Sequence, residues 1–450
     1  MSAAGREAIV RALGPPGTVR LVGLGPGVQA AGDVMAAAGW TLAPFDRHPA
    51  ESDWSRRHGV VVRSDTGPWG PCDLVITSAA ISADHPARAS SALVLDYPDW
   101  LARWAGQMPT VAIAGTHGKS TAVAAASHLL PTASVCGGVG PIGQPAGRLA
   151  GSPLVVEACE YRRHFLKLPQ PSVCILNIEH DHPDCFATAG QTEAAFGRLA
   201  KSSSGPIIVP VELKDWAARL GCETVTFAVS VDAAADAAAD VSLRVDGDRA
   251  TVSSGGQSRP LDLGDWPRPL LPSLAAAVAI ALRHGQTLDS LPSLRDFPGL
   301  PLRFELQPAG PVRWVADYAH HPTAIAATIR EARRRWPSRR IVAVVEPHQM
   351  ARLTTFFDAF AESLALADEV WILPVFAARE SVGANDAAAV VERLAAAIPK
   401  PTHTGPIAAI ADELAARLAE RPQAAVVLMG AGRIHSSPLA AVRTELAAAP

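Results

Sequence analysis

Short apolar runs recur along the chain, and each stops abruptly at glycines, acids or histidines before a stretch with helical spacing. VRLVGLGPG (19–27), WTLAPFD (40–46) and CDLVITSAAI (72–81) form a first block. VAIAGTHGKST (111–121), LVVEACE (154–160) and PSVCILNIEHDHPDCF (171–186) form a second, and VRWVADYAHHPTAIAATI (312–329), RIVAVVEPH (340–348), EVWILPV (369–375) and AAVVLMGAG (424–432) a third. Strand followed by helix, repeated, restricts the chain to α/β folds with parallel sheets. Such strands are buried on both faces, and their C-terminal ends line the ligand site. At 450 residues the chain exceeds what one core serves, so two or three domains are expected.

The blocks differ in detail. In the first, a βαβ order with glycines at the first turn and Asp46 after the second strand suggests a nucleotide-binding doubly wound sheet. The turn is a weak fingerprint: Pro26 removes a donor and Val28 stands where the dinucleotide motif needs glycine. In the second, SVDAAADAAADVSLRVDGDRATVSSGG (230–256) reads as a small hairpin excursion preceded by a loose alanine/aspartate run. In the third, patterns such as TTFFDAFAESLALA read as helices between strands.

Composition narrows the function classes. A net charge of −3 gives no electrostatic reason to expect nucleic acid as a partner. LAAAVAIAL (274–282), the longest apolar run, is too short for a bilayer, so no membrane partner is expected. The N-terminal MSAAGREAIVRALGPPG lacks a signal-peptide core, and six scattered cysteines without a CxxC pair fit reduced thiols in a cytoplasmic protein.

The chemistry concentrates at run ends. In IAGTHGKST a strand meets a glycine turn and then Lys119-Ser120 at a helix start, an arrangement that wraps backbone N–H groups around an anion. The usual G-x-x-x-x-G-K-[ST] spacing would need glycine where Ile113 stands, so the loop is either an accident or a shorter type. Lysine there balances β- and γ-phosphate charge, and the hydroxyl coordinates Mg²⁺. Glu157, Glu160, His182 and Asp184 sit at strand ends, as oxygen ligands and a nearby imidazole would for a Mg²⁺–nucleotide complex. HDHPD lacks the Cys-x-x-Cys or HExxH partner of a zinc site. His320-His321 end another run, and His348 and Arg352 are four apart, able to share a helix face. Histidines and an arginine converging suit a carboxylate substrate.

Taken in order, GTHGKS, EACE, NIEHDHPD, LRFE, DYAHHPT, PHQMAR and GAG resemble the Mur ligases, which build the peptidoglycan stem peptide. The family loop is G-T-x-G-K-[ST], so Ile113 is no obstacle. The resemblance covers essentially the whole chain. It implies three domains: a Rossmann-like UDP-sugar domain (1–107), a central P-loop ATPase-type parallel sheet holding ATP and Mg²⁺ (108–296), and a C-terminal Rossmann-like domain for the amino acid (297–450). The motif combination resembles that of the members that join L-alanine to UDP-N-acetylmuramate, which implies a reaction through an acyl phosphate.

Carried onto this sequence, the resemblance places the phosphate loop at Gly115, Thr116, Gly118, Lys119, Ser120 and Thr121. Ser120, Glu157 and His182 would serve the metal, and Lys119, His182 and Arg303 the catalysis. Asp317 would bind ribose. Tyr318, His320, His348 and Arg352 would hold the amino acid, and Gly23, Gly25, Gly27, Asp46 and Ser78 would surround the UDP-sugar.

Departures from the family pattern mark where this chain differs. PRPLLPSLAA stands where G-x-H-N-x-x-N-A-L-A-A is usual, so Arg268-Pro269 replace His-Asn at the adenine contacts. Cys159 replaces the aspartate of E-A-D-E, Pro26 a glycine, Glu346 a glutamine and Arg433 an aspartate. Three other readings compete: a recycling ligase that attaches a preformed tripeptide, a non-catalytic binding protein on the same fold, and a plain P-loop ATPase or kinase.

Overall fold

The computed structural model describes residues 3–448 except 90–91, 233–237, 248, 309, 379, 381–382 and 437. The chain forms two compact units. One comprises Met1–Glu179, Ala189–Trp266 and Leu270–Leu300; the other comprises His180–Thr188, Pro267–Pro269 and Pro301–Pro450.

The first unit holds two sheets. Five parallel strands run in the order Arg63–Ser64, Thr41–Asp46, Thr18–Val22, Leu74–Thr77, Leu93–Asp96. Strand order reverses beside Thr18–Val22, and at such a switch point an α/β sheet opens a crevice at its C-terminal ends. The helix Pro26–Ala37 starts there, with Pro26 at a first-turn position whose N–H is not needed.

The second sheet has its parallel core in Thr224–Val231, Ile207–Pro210, Ser172–Ile175, Thr110–Ala114, Gly151–Glu157 and Ala133–Cys136, in that order. Every residue of Thr110–Ala114 is buried, as expected of a strand inside a parallel sheet. Small side chains let the helices Lys119–Leu129 and Leu271–Arg283 pack closely, and their alanines join Val111, Ile113 and Leu274 in one core. The hairpin expected over 230–256 is present but is no excursion. Val241–Asp246 pairs parallel with Thr224–Val231 and antiparallel with Arg249–Ser254, and Gln257–Leu261 adds a further strand, so alternating side chains extend the sheet. Residues 233–237 of the alanine/aspartate run lie outside the described residues.

The second unit carries a six-stranded sheet in the order Glu305–Gln307, Arg313–Asp317, Ala424–Met429, Arg340–Val345, Glu369–Ile372, Thr402–Thr404. All neighbours are parallel except the first pair. Alternate residues feed two cores: Val315, Ala343, Val345 and Val427 on one face, Trp314, Val342, Val344 and Val426 on the other. A single helix over TTFFDAFAESLALA is replaced by two, Met350–Thr355 and Phe357–Leu364. Phe356 between them, at φ −112° and ψ 28°, departs from helical dihedrals while still bonding Arg352 O and Phe360 N. Among the described residues, no helix is long and apolar enough to cross a membrane.

Candidate active site

The candidate phosphate loop follows the buried strand Thr110–Ala114 and ends at the helix Lys119–Leu129. Gly118 caps that helix in the left-handed region at φ 82°, and a Cβ there would lie 2.4 Å from Ser273 Oγ. Gly118→Ala is therefore expected to cost roughly 2 kcal/mol of stability, since both the backbone and the contact resist it. Thermal unfolding checks this, and an unchanged midpoint would contradict the loop conformation.

The loop is tied to the segment after Ser172–Ile175. His117 N donates to Asn177 Oδ1 (2.9 Å), Asn177 Nδ2 donates to His117 O (3.1 Å), and Thr116 Oγ1 donates to Glu179 O (2.9 Å). Lys119 Nζ donates to Gly115 O (2.6 Å) and Thr116 O (3.2 Å) and pairs with Glu160 at 2.8 Å. Its side chain is 12% exposed and that of Glu160 only 3%, so the lysine is not at the solvent-facing turn that a glycine loop suggests. Burial works against the ammonium, but the Glu160 and Glu157 carboxylates outweigh it and hold its pKa above the ordinary lysine value.

Ser120 Oγ donates to Glu157 Oε2 at 2.9 Å, and Gly138 N donates to the same oxygen at 2.9 Å. A hydroxyl and a carboxylate held together at a helix N-terminus are the hard oxygen donors that Mg²⁺ takes. The buried Thr121 Oγ1 has no hydrogen-bond partner among the described residues. These features fit a magnesium-bound triphosphate.

In the other sheet of this unit, Gly23, Gly25, Asp46 and Ser78 meet at strand ends. Gly25 N donates to Gly23 O (2.8 Å), Leu24 N to Asp46 Oδ2 (2.7 Å) and His48 N to Asp46 Oδ1 (2.9 Å). A Cβ on Gly23 would lie 3.1 Å from Ser78 Cβ. Gly27 differs: a Cβ there would lie 2.7 Å from the Tyr97 ring, so its glycine serves close packing.

The second unit gathers the remaining residues. Arg303 sits between Leu302 (φ 56°) and Phe304 (φ 49°), an unusual pair of left-handed residues without glycine. Leu302 N donates to Glu305 Oε2 (2.9 Å) and Phe304 N to Asp317 Oδ2 (3.0 Å), which hold the turn, and the guanidinium lies 4.8 Å from the Tyr318 ring centroid. Asp317 is buried; Ala319 N donates to its Oδ1 (2.9 Å) and Thr328 Oγ1 to its Oδ2 (3.1 Å). Burial raises its pKa, offset in part by Arg303. A ribose hydroxyl would have to share oxygens already engaged by the backbone.

From Tyr318, ring contacts run to His320 (5.1 Å) and on to His348 (5.5 Å). His320 Nδ1 lies 2.9 Å from Tyr318 O, so that nitrogen carries the proton and Nε2 is the acceptor. Burial, with the Arg352 charge behind it, holds the His320 pKa well below the usual value. It is therefore no second cation beside Arg352. That guanidinium is fully buried, and Arg352 Nε donates to Asp181 Oδ1 at 2.8 Å. Asp181 Oδ1 also accepts from the N–H of His182, whose backbone is left-handed at φ 54°. Burial pushes the Asp181 carboxyl up, yet His182 and Arg352 outweigh it and leave its pKa well below the aspartate range.

The expected site residues thus fall into three groups. Gly115 to Thr121 with Glu157 form one, and Gly23, Gly25, Asp46 and Ser78 another. Arg303, Asp317, Tyr318, His320, His348, Arg352 and His182 form the third, in the second unit. Sequence reasoning left out Asn177, Glu179, Asp181 and Glu305. The polar string NIEHDH carried a signal for three of them, and the motif LRFE ends on Glu305.

Comparison with known proteins gives this geometry its context. Residues 302–432 match the family model described as Mur ligase, glutamate ligase domain. A UDP-N-acetylmuramate–L-alanine ligase of Desulfitobacterium hafniense is 33% identical over 352 residues, spanning 73% of this chain and 77% of the relative. Another, of Chloroflexus aggregans, is 32% identical over 413 residues, spanning 80% and 83%. Among solved structures, a UDP-N-acetylmuramate–alanine ligase from Thermotoga maritima matches with a TM-score of 0.72, covering 96% of this chain and 100% of that one. Their 20% identity makes this a likeness of fold. The chain belongs to the Mur ligase family.

Proposed function

We infer that this chain is an ATP-dependent, amide-forming ligase that joins L-alanine to the carboxylate of UDP-N-acetylmuramate, in the cytoplasmic synthesis of peptidoglycan precursors. The observation that carries the reading is the loop from Gly115 to Thr121, with Lys119 and the Ser120–Glu157 pair at its mouth. Relatives named for this activity align over most of the chain.

The chemistry follows from the reactants. A carboxylate does not react with an amine at neutral pH because oxide is a poor leaving group. Transfer of the γ-phosphoryl group from ATP to a carboxylate oxygen gives ADP and an acyl phosphate. The amine of alanine then attacks the carbonyl carbon, the C–O bond to phosphate breaks, and the amine loses its proton. Residues 108–296 hold the nucleotide. Lys119 exchanges part of its Gly115, Thr116 and Glu160 contacts for phosphate oxygens and stabilises charge as it builds during transfer. Ser120 and Glu157 would hold Mg²⁺, which when bound neutralises phosphate charge, and His182 is the further residue that the family resemblance assigns to the metal.

Residues 1–107 take the UDP-sugar at the crevice marked by Gly23, Asp46 and Ser78. Residues 297–450 supply Arg303 to the phosphates, Asp317 to the ribose side, and Tyr318, His320, His348 and Arg352 to the amino acid. With His320 uncharged, the carboxylate of alanine is met by Arg352. The reading is tested by ADP formation in mixtures lacking one component at a time. Full rates are expected only with ATP, Mg²⁺, UDP-N-acetylmuramate and L-alanine together. ADP formation without any muramyl substrate would leave a simple ATPase, and none at all would leave a binding protein.

A further inference from the structure

The nitrogens of Arg352 are engaged unevenly. Nε donates to Asp181 Oδ1 at 2.8 Å. Nη1 faces His348 Nδ1 at 3.0 Å, His348 O at 3.1 Å and Gln349 Oε1 at 3.2 Å. Nη2 is buried and has no hydrogen-bond partner among the described residues. A planar fork fixed at two nitrogens cannot turn, so the direction of the third is set. The Arg352 and Asp181 side chains are 1% and 6% exposed, so solvent screens this pair little. The charges largely cancel, and the pair offers a carboxylate one directed donor rather than an unpaired cation.

That has a consequence for which nucleophile enters. A free α-amino acid is a zwitterion with no net charge and a single carboxylate. A tripeptide with several carboxylates would bring net negative charge to a site whose cation is already matched.

We propose that Asp181 is a positioning and specificity-determining residue of the amino-acid site. By clamping Nε of Arg352 it leaves Nη2 as the donor for one carboxylate oxygen, and by neutralising the guanidinium it favours a net-neutral amino acid over a polyanionic peptide. The proposal rests on the amino-acid ligase reading above.

The test compares the full-length wild type with Asp181→Asn, which keeps an acceptor but removes the charge, and with Asp181→Glu. For Asp181→Asn, the KM for L-alanine should rise about tenfold while kcat and the KM for ATP stay within about threefold, since only the amino-acid contact is disturbed. The ratio of tripeptide to alanine use should rise with it, and Asp181→Glu should recover part of the alanine KM. Acyl-phosphate formation without amino acid, trapped with hydroxylamine, should proceed at the wild-type rate. An unchanged alanine KM would overturn the proposal. So would trapping that falls in step with ligation, because Asp181 would then act through His182 on the phosphoryl step. If the wild type itself uses another amino acid, the alanine reading fails, while the same series run with that amino acid still tests Asp181.

Discussion

Lys119→Ala is expected to abolish ligation and also to weaken the fold. In the proposed function the ammonium neutralises charge on the transferring phosphoryl group, and removing one such contact typically costs a hundredfold or more in rate, roughly 3 kcal/mol. The second effect comes from Glu160, whose buried carboxylate would lose the lysine at 2.8 Å. Removing one partner of a buried ion pair costs about 3 kcal/mol. The two effects separate in Lys119→Met/Glu160→Gln, which removes both charges. That variant should regain most of the lost thermal stability and none of the activity. Ligation by Lys119→Ala at near the wild-type rate would refute the loop assignment.

Arg352→Ala is the second large change. It removes the donor proposed for the alanine carboxylate, so the alanine KM should rise steeply while the ATP KM hardly moves. It also leaves Asp181 buried without its guanidinium, a loss of about 3–5 kcal/mol at neutral pH. The pH dependence has a definite sign. In the wild type the Asp181 pKa is depressed, so its stabilisation is present above the ordinary aspartate value and fades as pH falls. In the variant, loss of the Arg352 charge and hydrogen bond should raise the carboxyl's pKa relative to the wild type, against the lowering that His182 still exerts. Its penalty then shrinks as pH falls and the group protonates, so wild type and variant should converge in stability towards acid. Denaturant unfolding at several pH values measures this; a constant gap would show that the pair contributes no charge interaction.

Much of this was legible from local pattern. Parallel strands announce themselves as apolar runs because both faces are buried, and the residues ending those runs are the ones gathered at the sheets' C-terminal ends. The loop Gly115–Thr121 and its acid Glu157 could be read because their neighbours in space are the ends of adjacent strands, Thr110–Ala114 and Gly151–Glu157. What pairs across the chain could not. Asp181 and Arg352 meet over 171 positions, and only the folded structure shows that the arginine read as a free anchor is already held. The left-handed Leu302 and Phe304 were equally hidden, because neither residue type favours that conformation, and the bonds that hold their N–H groups come from Glu305 and from the more distant Asp317. His320 illustrates a different limit: its charge depends on burial beside Arg352, which no spacing reveals.

The most direct measurement sets two nucleophiles against each other. With saturating ATP, Mg²⁺ and UDP-N-acetylmuramate, kcat/KM would be measured for L-alanine and for L-Ala-γ-D-Glu-meso-diaminopimelate, with the product identified by mass. A neutralised, buried arginine beside Tyr318 and His320 predicts that alanine is preferred by about a hundredfold, close to 2.7 kcal/mol in transition-state binding. Efficient use of the tripeptide with poor use of alanine would contradict the account and make this chain a recycling ligase.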